Sequence, residues 1–343
     1  MKYLITGGCG FIGVNFAEKI LRRGDEVILL DNLSRRGTST NLEYLKKIYN
    51  KVKFVHVDIR IDNGSLQKAV NQVDVVYHLA SQVAVTTSVK DPFEDFYINA
   101  LGTFNVLEAV RKSANKPILI YASTNKVYGG MEEISVIEGA DRYTYKDFPI
   151  GIPESMCLDF HSPYGCSKGC GDQYVRDYAR IYDLRTVVMR QSCIYGPRQF
   201  GIEDQGWVAW FVIAKLLGSP ISIYGNGKQV RDVLYVDDLF SAWDFATKNP
   251  NITRGKVYNV GGGPRNTISL LEFLNLLGEL TGSFVSYTFS DWRPGDQPVY
   301  ISDISKIREE LGWEPLTDVK SGVRKLIDWV RENEDLVRAQ LSL

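Results

Sequence analysis

The sequence predicts an α/β protein built on a doubly wound parallel sheet, with a smaller, discontinuous C-terminal domain suited to holding a substrate. Three observations predict it. Short apolar strands alternate with amphipathic helical segments through the first half, a glycine-rich turn follows the first strand directly, and the rhythm breaks after Tyr195-Gly196-Pro197-Arg198.

The strands are read at Lys2–Thr6, Glu26–Asp31, 52–57, 75–79, 118–122 and 186–190. Between them, segments such as 14–23 and 99–111 carry apolar residues at three- and four-residue spacing, which is helical. Strand–helix alternation of this kind buries a parallel sheet under helices on both faces. Gly24 is a good stop for the first helix. Past Arg198 comes a loop rich in Gly, Gln and aromatics, then an apolar helix over 207–217. Segments 230–236 and 256–260 read again as strands, so the chain is expected to return to the sheet before a helical region from Ser269 onward. The division is therefore residues 1–195, with 230–260 returning, as a dinucleotide-binding domain, and 196–229 with 261–343 as a substrate domain.

At 343 residues and 44% hydrophobic content, the chain can bury a sizeable core. Forty basic and 41 acidic side chains give a net charge of −1, so no global field draws it to nucleic acid or to an anionic membrane. No run approaches the roughly 18 apolar residues that span a bilayer. Met1 leads straight into the first strand without a charged leader or apolar signal core, which places the protein in the cytoplasm. Five cysteines in no regular framework fit reduced thiols there. Cys166 and Cys170 sit one helical turn apart, but no second Cys or His pair accompanies them, so packing is expected rather than a metal site.

In Gly7-Gly8-Cys9-Gly10-Phe11-Ile12-Gly13, glycines 7, 10 and 13 serve a tight turn, close backbone approach to a pyrophosphate, and tight packing of the next helix. The N–H groups opening that helix, with Phe11 and Ile12 between the glycines, would meet the phosphates. Asp31, ending the second strand, would accept from the adenosine ribose hydroxyls and repel a 2′-phosphate, which favours NAD over NADP. Arg35 and Arg36 just beyond could instead bind such a phosphate, or form a solvated loop. Asp58 and Ile59, ending the third strand, are placed to border the adenine.

Tyr164 and Lys168 have the spacing of one helical turn. A tyrosine base at neutral pH needs its pKa lowered by roughly three units, or about 4 kcal/mol. A lysine ammonium one turn away and an oxidised nicotinamide both act in that direction. Thr124, at the end of the fifth strand, could hydrogen-bond the reacting hydroxyl. Alone, such a pair is as well read as a surface i,i+4 contact; the glycine turn and Asp31 argue otherwise.

With these motifs the chain resembles the extended short-chain dehydrogenase/reductase family of nucleotide-sugar-modifying enzymes. The resemblance covers nearly the whole length. It rests on Thr6 to Gly13, Asp31-Asn32, Asp58, His78-Leu79-Ala80, Asn99, Ser123-Thr124, Tyr164, Lys168, Tyr195 to Arg198, Arg231-Asp232-Val233 and Arg293-Pro294-Gly295-Asp296. It implies an NAD-binding Rossmann sheet, with Asn32, Ala80 and Asn99 among the cofactor contacts, and a C-terminal domain closing over a nucleoside-diphosphate sugar. The family's 4,6-dehydratases carry an Asp-Glu pair where this chain has Asn125-Lys126, and those carboxyls perform the elimination. Dehydration is therefore disfavoured. The runs Ser123 to Gly129, His161 to Lys168, Arg198 to Phe200, Asp204 to Trp207 and Gly225 to Asp232 resemble the family's 2-epimerases of CDP-linked dideoxyhexoses.

A sugar C2–H beside an ordinary hydroxyl is not acidic, so inversion there calls for transient hydride transfer through a 2-keto sugar. Arg231 and Arg293 suit a diphosphate, since a guanidinium forks onto phosphate oxygens, and Arg198 is a further candidate. Ion pairing within the fold is the alternative. Gln205 and Trp207 are candidates for sugar or base, yet Trp207, Trp210 and Phe211 at helical spacing read equally well as core. Asn125 and Lys126 are placed to touch the reacting hydroxyl, and His161 to line the pocket. A UDP-hexose 4-epimerase would use the same machinery with the sugar held differently. The resemblance also implies a homodimer or homotetramer, with 99–110 and the helix after Lys168 as candidate faces.

Overall fold

The computed structural model describes residues 1–292 and 296–341. The chain divides into two compact units. One comprises residues 1–127, 160–190 and 240–258; the other comprises 128–159, 191–239 and 259–343. Residues 128–159 and 230–239 thus group with the second unit.

The first unit is built on a seven-stranded sheet in the order Val257–Val260, Thr186–Gln191, Ile118–Thr124, Val75–His78, Lys2–Thr6, Glu26–Asp31, Lys53–His56. From Ile118 to Lys53 the neighbouring strands run parallel, with Leu4 opposite Ile28 on one side and Val76 on the other. Strands buried on both faces read as continuous apolar runs, which is why Tyr3-Leu4-Ile5 and Val75-Val76-Tyr77 are so plainly legible. On one face, Val106, Leu107 and Val110 and then Val175 and Tyr178 bring two helices onto Leu4, Val76 and Leu119. The strand order reverses beside Lys2–Thr6, and the carboxyl ends on either side of that reversal form the crevice where open α/β sheets bind ligands.

Two expectations are revised. The segment Val230–Tyr235 is a fully buried strand, but it joins a separate sheet, antiparallel to Thr267–Ser269 and parallel to Val299–Tyr300 and Cys193–Tyr195. Apolar periodicity identifies a strand without naming its neighbours. The helix expected over 99–111 is interrupted at its start: Tyr97–Leu101 forms a wider π turn before the α-helix Gly102–Lys112. The second unit is cored by Phe211, Val212, Phe273, Leu274, Leu326 and Ile327. Its helix Leu270–Thr281 opens on a capping box, with Ser269 Oγ accepting from Glu272 N–H and the Glu272 carboxylate accepting from Ser269 N–H.

Candidate active site

The glycine turn leaves the first strand at Gly7, whose φ of +67° lies in the left-handed region that glycine tolerates. A methyl there would sit 2.7 Å from the backbone N of Ala80, so the turn and the end of the fourth strand touch across the reversal point. A methyl at Gly13 would lie 2.6 Å from Gly7 O, which is why the following helix can lie so close. Gly10 precedes the helix Phe11–Arg22 as its N-cap and, lacking a side chain, puts no capping oxygen on the first-turn N–H groups. A methyl at Gly10 would meet only Gly7 O, at 3.2 Å. Open backbone donors at a helix N-terminus fit a diphosphate.

Asp31 is buried, its two oxygens accepting from Cys9 N–H at 3.0 Å and Leu33 N–H at 2.9 Å. With Asn32 N–H as a third donor, the carboxylate keeps a lone pair for a ribose hydroxyl, so this donor and acceptor set fits a dinucleotide. Burial raises the Asp31 carboxyl, opposed by those N–H groups and by Arg35. Arg35 is exposed in the loop beyond Asp31 and acts electrostatically on that carboxylate, which leaves the solvated-loop reading standing. Asp58 accepts from Asn32 Nδ2 at 3.2 Å and from the Arg60 guanidinium at 2.6–3.1 Å, which lowers its pKa to about 2. Arg60 in turn reaches Glu94 at 2.5 Å. Ile59 is buried, with its side chain directly under Gly102.

Tyr164 and Lys168 lie on the helix Ser162–Tyr182, which packs on the strand Ile118–Thr124. Glycines in a helix interior cost about 1 kcal/mol each, yet this helix tolerates several because the sheet comes so near. A methyl at Gly171 would lie 2.5 Å from the Tyr121 hydroxyl, and one at Gly165 would lie 3.2 Å from Lys126 O. That approach brings Thr124 into hydrogen-bond contact with the Tyr164 phenol, a contact that favours the phenolate. Burial acts the other way and is larger, pushing Tyr164 up to about 12. Lys168 donates from Nζ to Ala122 O at 2.5 Å and lies 4.4 Å above the Tyr121 ring. Burial lowers it to about 7, against the pull of Asp95 and Asp172. Asp95 acts with burial in raising the phenol, and Arg35 opposes them weakly.

Asn99 is fully engaged within the protein. Its Oδ1 accepts from Ser81 Oγ and Gln82 N–H, and its Nδ2 faces Gln82 O, Asp95 Oδ1 and Ser167 Oγ. Its side chain is therefore held by the protein itself. Asn125 is buried and accepts from the Thr124 hydroxyl at 3.3 Å; Lys126 N–H donates to that same hydroxyl oxygen at 3.2 Å. His161 is exposed at the N-cap of the catalytic helix.

The second unit carries the other candidates. Arg231 is buried, donating to its neighbour's carbonyl, Val230 O, and to Asp296 Oδ1 at 2.5 Å, which is the ion-pair alternative for this residue. Arg198 is buried with a left-handed φ of +63°. Gln205 pairs through its backbone with Ile202. Arg293 lies outside the described residues. Phe211 is core, and Trp207 packs on Phe273 with ring centroids 5.1 Å apart, so the packing reading holds for this stripe.

Residues that pattern reading missed are Ser88, Asp95 and Asp172. Ser88 Oγ accepts from Tyr164 N–H at 3.1 Å and donates to Val85 O at 2.7 Å. Asp172 accepts from Ser123 Oγ and from two nitrogens of the buried Arg190. Only proximity across long stretches of chain gives these residues a role, so no local signal announces them.

A glycine turn, an acid one strand over, and a tyrosine–lysine pair beside a threonine define a dinucleotide-fold protein equipped to move a proton. The chain belongs to the extended short-chain dehydrogenase/reductase family: the family model described as GDP-mannose 4,6 dehydratase matches residues 4–326. It is 48% identical over 335 residues to CDP-paratose 2-epimerase of Salmonella typhi, covering 96% of this chain and 99% of that protein. In structure it is similar to UDP-glucose 4-epimerase of Thermotoga maritima, with a TM-score of 0.83 and 31% identity over 97% of this chain and 100% of that one. DesIV of Streptomyces venezuelae, a dTDP-glucose 4,6-dehydratase solved with NAD bound, superimposes with a TM-score of 0.85 and 29% identity, covering 99% of this chain and all of that one.

Proposed function

We propose that this protein is an NAD-dependent epimerase that inverts C2 of a CDP-linked 3,6-dideoxyhexose, converting CDP-paratose to CDP-tyvelose. The observation that carries the reading is the 48% identity, over nearly the full length of both chains, to an enzyme named for that reaction. Asn125-Lys126 supports it, since neither side chain is a carboxyl that could perform a dehydratase elimination. NAD is the cofactor: the glycine turn and Asp31 fit it, and structural neighbours hold it.

Bound NAD supplies a reversible hydride acceptor, which makes inversion at an unactivated carbon accessible without net oxidation. The chain's own groups handle the proton. Tyr164 Oη takes it from the C2 hydroxyl as the 2-keto sugar forms, and returns it after the sugar has turned about its diphosphate linkage. Thr124 orients the hydroxyl and Lys168 supplies positive charge behind the phenol. Asn125 and Lys126 contact the reacting hydroxyl and Gln205 the sugar or base; Arg231 and Arg293, with Arg198, serve the diphosphate, Arg231 exchanging Asp296 for phosphate.

The exposed aromatic stripe of Phe93, Phe96, Tyr97, Phe104, Tyr174 and Tyr182 supports a homodimer or homotetramer. Among the described residues no helix is long and apolar enough to cross a membrane. Five free cysteines fit activity in the reducing cytoplasm.

The test is incubation of the purified protein with CDP-paratose, without added cofactor, followed by NMR of the product. CDP-tyvelose is the expected product. No change on CDP-paratose combined with interconversion of UDP-glucose and UDP-galactose would overturn the substrate in favour of 4-epimerisation.

A further inference from the structure

We propose that Asp95 is a positioning residue for this chemistry: a buried carboxylate that keeps Lys168 as an ammonium and locks the catalytic helix through Ser167. The inference rests on the reading of Tyr164 and Lys168 as the catalytic pair. Asp95 is fully buried on the short helix Pro92–Phe96. One oxygen accepts from Ser167 Oγ at 2.5 Å; the other accepts from Gln82 Nε2 at 2.8 Å and Asn99 Nδ2 at 3.1 Å. Ser167 is the residue before Lys168, and its Oγ also faces Asn99 Nδ2 and Tyr164 O. A carboxylate taken out of water persists only when it is hydrogen-bonded and its charge is balanced. Its three partners are neutral; burial raises its pKa, and those hydrogen bonds together with Lys168, the residue after Ser167, oppose that rise.

The converse holds for Lys168. Among the described residues its ammonium has one carbonyl and one ring face as immediate partners, too little to hold a charge that deeply. The other charged or titratable groups around it are few. His78, beneath, bridges Thr6 and Thr103 and is held neutral by burial. Asp172 is already paired with Arg190. From the helix Gly102–Lys112, Glu108 is engaged by Arg111, Lys112 and Tyr178. Tyr97 and Lys90 are exposed. Glu94, next to Asp95, is turned to Arg60, so the same short helix also grips the residue that holds Asp58. Among the described residues, Asp95 is thus the buried carboxylate beside this stretch of helix that makes no ion pair with an arginine, whereas Asp172 makes one with Arg190.

The experiment is an NMR titration of the NAD-bound protein labelled with 13C at lysine Cε, with the Lys168 resonance assigned by its loss in Lys168→Met. In Asp95→Asn the Lys168 midpoint is expected to fall by about one pH unit or more, as removal of a close opposite charge requires. The alkaline limb of kcat should move down with it while KM changes little. An identical Lys168 midpoint in wild type and Asp95→Asn would overturn the proposal. Should Asp95→Asn fold poorly, the reciprocal measurement serves: in Lys168→Met the Asp95 13Cγ midpoint must rise by the amount Asp95 raises Lys168. An unmoved Asp95 midpoint would equally overturn it. Neither titration uses a nucleotide sugar, so a wrong substrate assignment fails separately, in the product NMR.

Discussion

The backbone N–H of Tyr164 donates to the hydroxyl of Ser88, seventy-six residues earlier, at 3.1 Å. Pro163 precedes the tyrosine in the first turn of the helix, where backbone donors have no intrahelical acceptor. Ser88 is wholly buried and supplies that acceptor, fixing where the helix starts and so where the phenol stands. Ser88→Ala leaves a buried donor unpaired and should cost about 1–3 kcal/mol. A lower midpoint in urea unfolding, with kcat reduced more than the affinity for substrate, is the expected result.

Tyr164→Phe removes the proton carrier and leaves the ring. Turnover should fall by roughly 10²–10⁴-fold or more, the range for general acid–base groups. Retained NAD binding, read by cofactor absorbance on the purified protein, would show the site intact. Full turnover would remove Tyr164 from its role.

Gly171→Ala would drive a methyl to 2.5 Å from the Tyr121 hydroxyl, which itself donates to Lys168 O at 3.3 Å. Both sides are buried and hold the catalytic helix to the strand. Overpacking of this kind costs typically about 1–3 kcal/mol. A lower melting temperature accompanied by lost activity is expected, whereas an unaltered protein would mean the helix can lift without consequence.

The pH dependence of stability follows from Lys168. Its pKa in the folded state is lowered to about 7, below its ordinary value of 10.5. Between those values the unfolded chain binds the proton and the folded one releases it, so this group makes stability rise as pH increases from about 7 toward about 10. Below that window both states carry the proton and the burial cost is fully felt. Comparison of urea midpoints for wild type and Lys168→Met across pH 6 to 10 checks the sign: the difference should shift in favour of wild type on the alkaline side.

Arg190 and Asp172 form a pair with side chains 2% and 0% exposed. Arg190→Met leaves the carboxylate buried with, among the described residues, Ser123 and Gln173 as side-chain donors. Breaking one side of such a pair costs about 3–5 kcal/mol. Poor refolding or a large drop in thermal midpoint is expected, and a conservative Arg190→Lys should recover only part of it because one ammonium cannot reproduce the fork.

Much of this architecture is written locally. The strand Glu26–Asp31 and the helix Trp207–Leu217 fall where the apolar pattern put them, because burial on both faces leaves a continuous apolar run and a helix leaves its own period. Gly7, Gly10 and Gly13 and the Tyr164–Lys168 spacing are legible for the same reason: their geometry is complete within a few residues of chain. Val230–Tyr235 shows the limit, since its pattern declares a strand while its neighbours, Thr267–Ser269 and Cys193–Tyr195, lie elsewhere in the chain.

The sequence by itself determined the doubly wound sheet, the turn that suits a diphosphate, the acid at Asp31 and the one-turn spacing of Tyr164 and Lys168. Only the tertiary structure decided the environment of that pair. It brings Asp95 onto Ser167, the neighbour of Lys168, seats Tyr164 N–H on Ser88 and engages Asn99 with Gln82, Asp95 and Ser167. The physical reason is that a buried charge or an orphaned helix donor is satisfied by whatever group the packed elements bring within a few ångströms, and that group is chosen by the fold and not by distance along the chain.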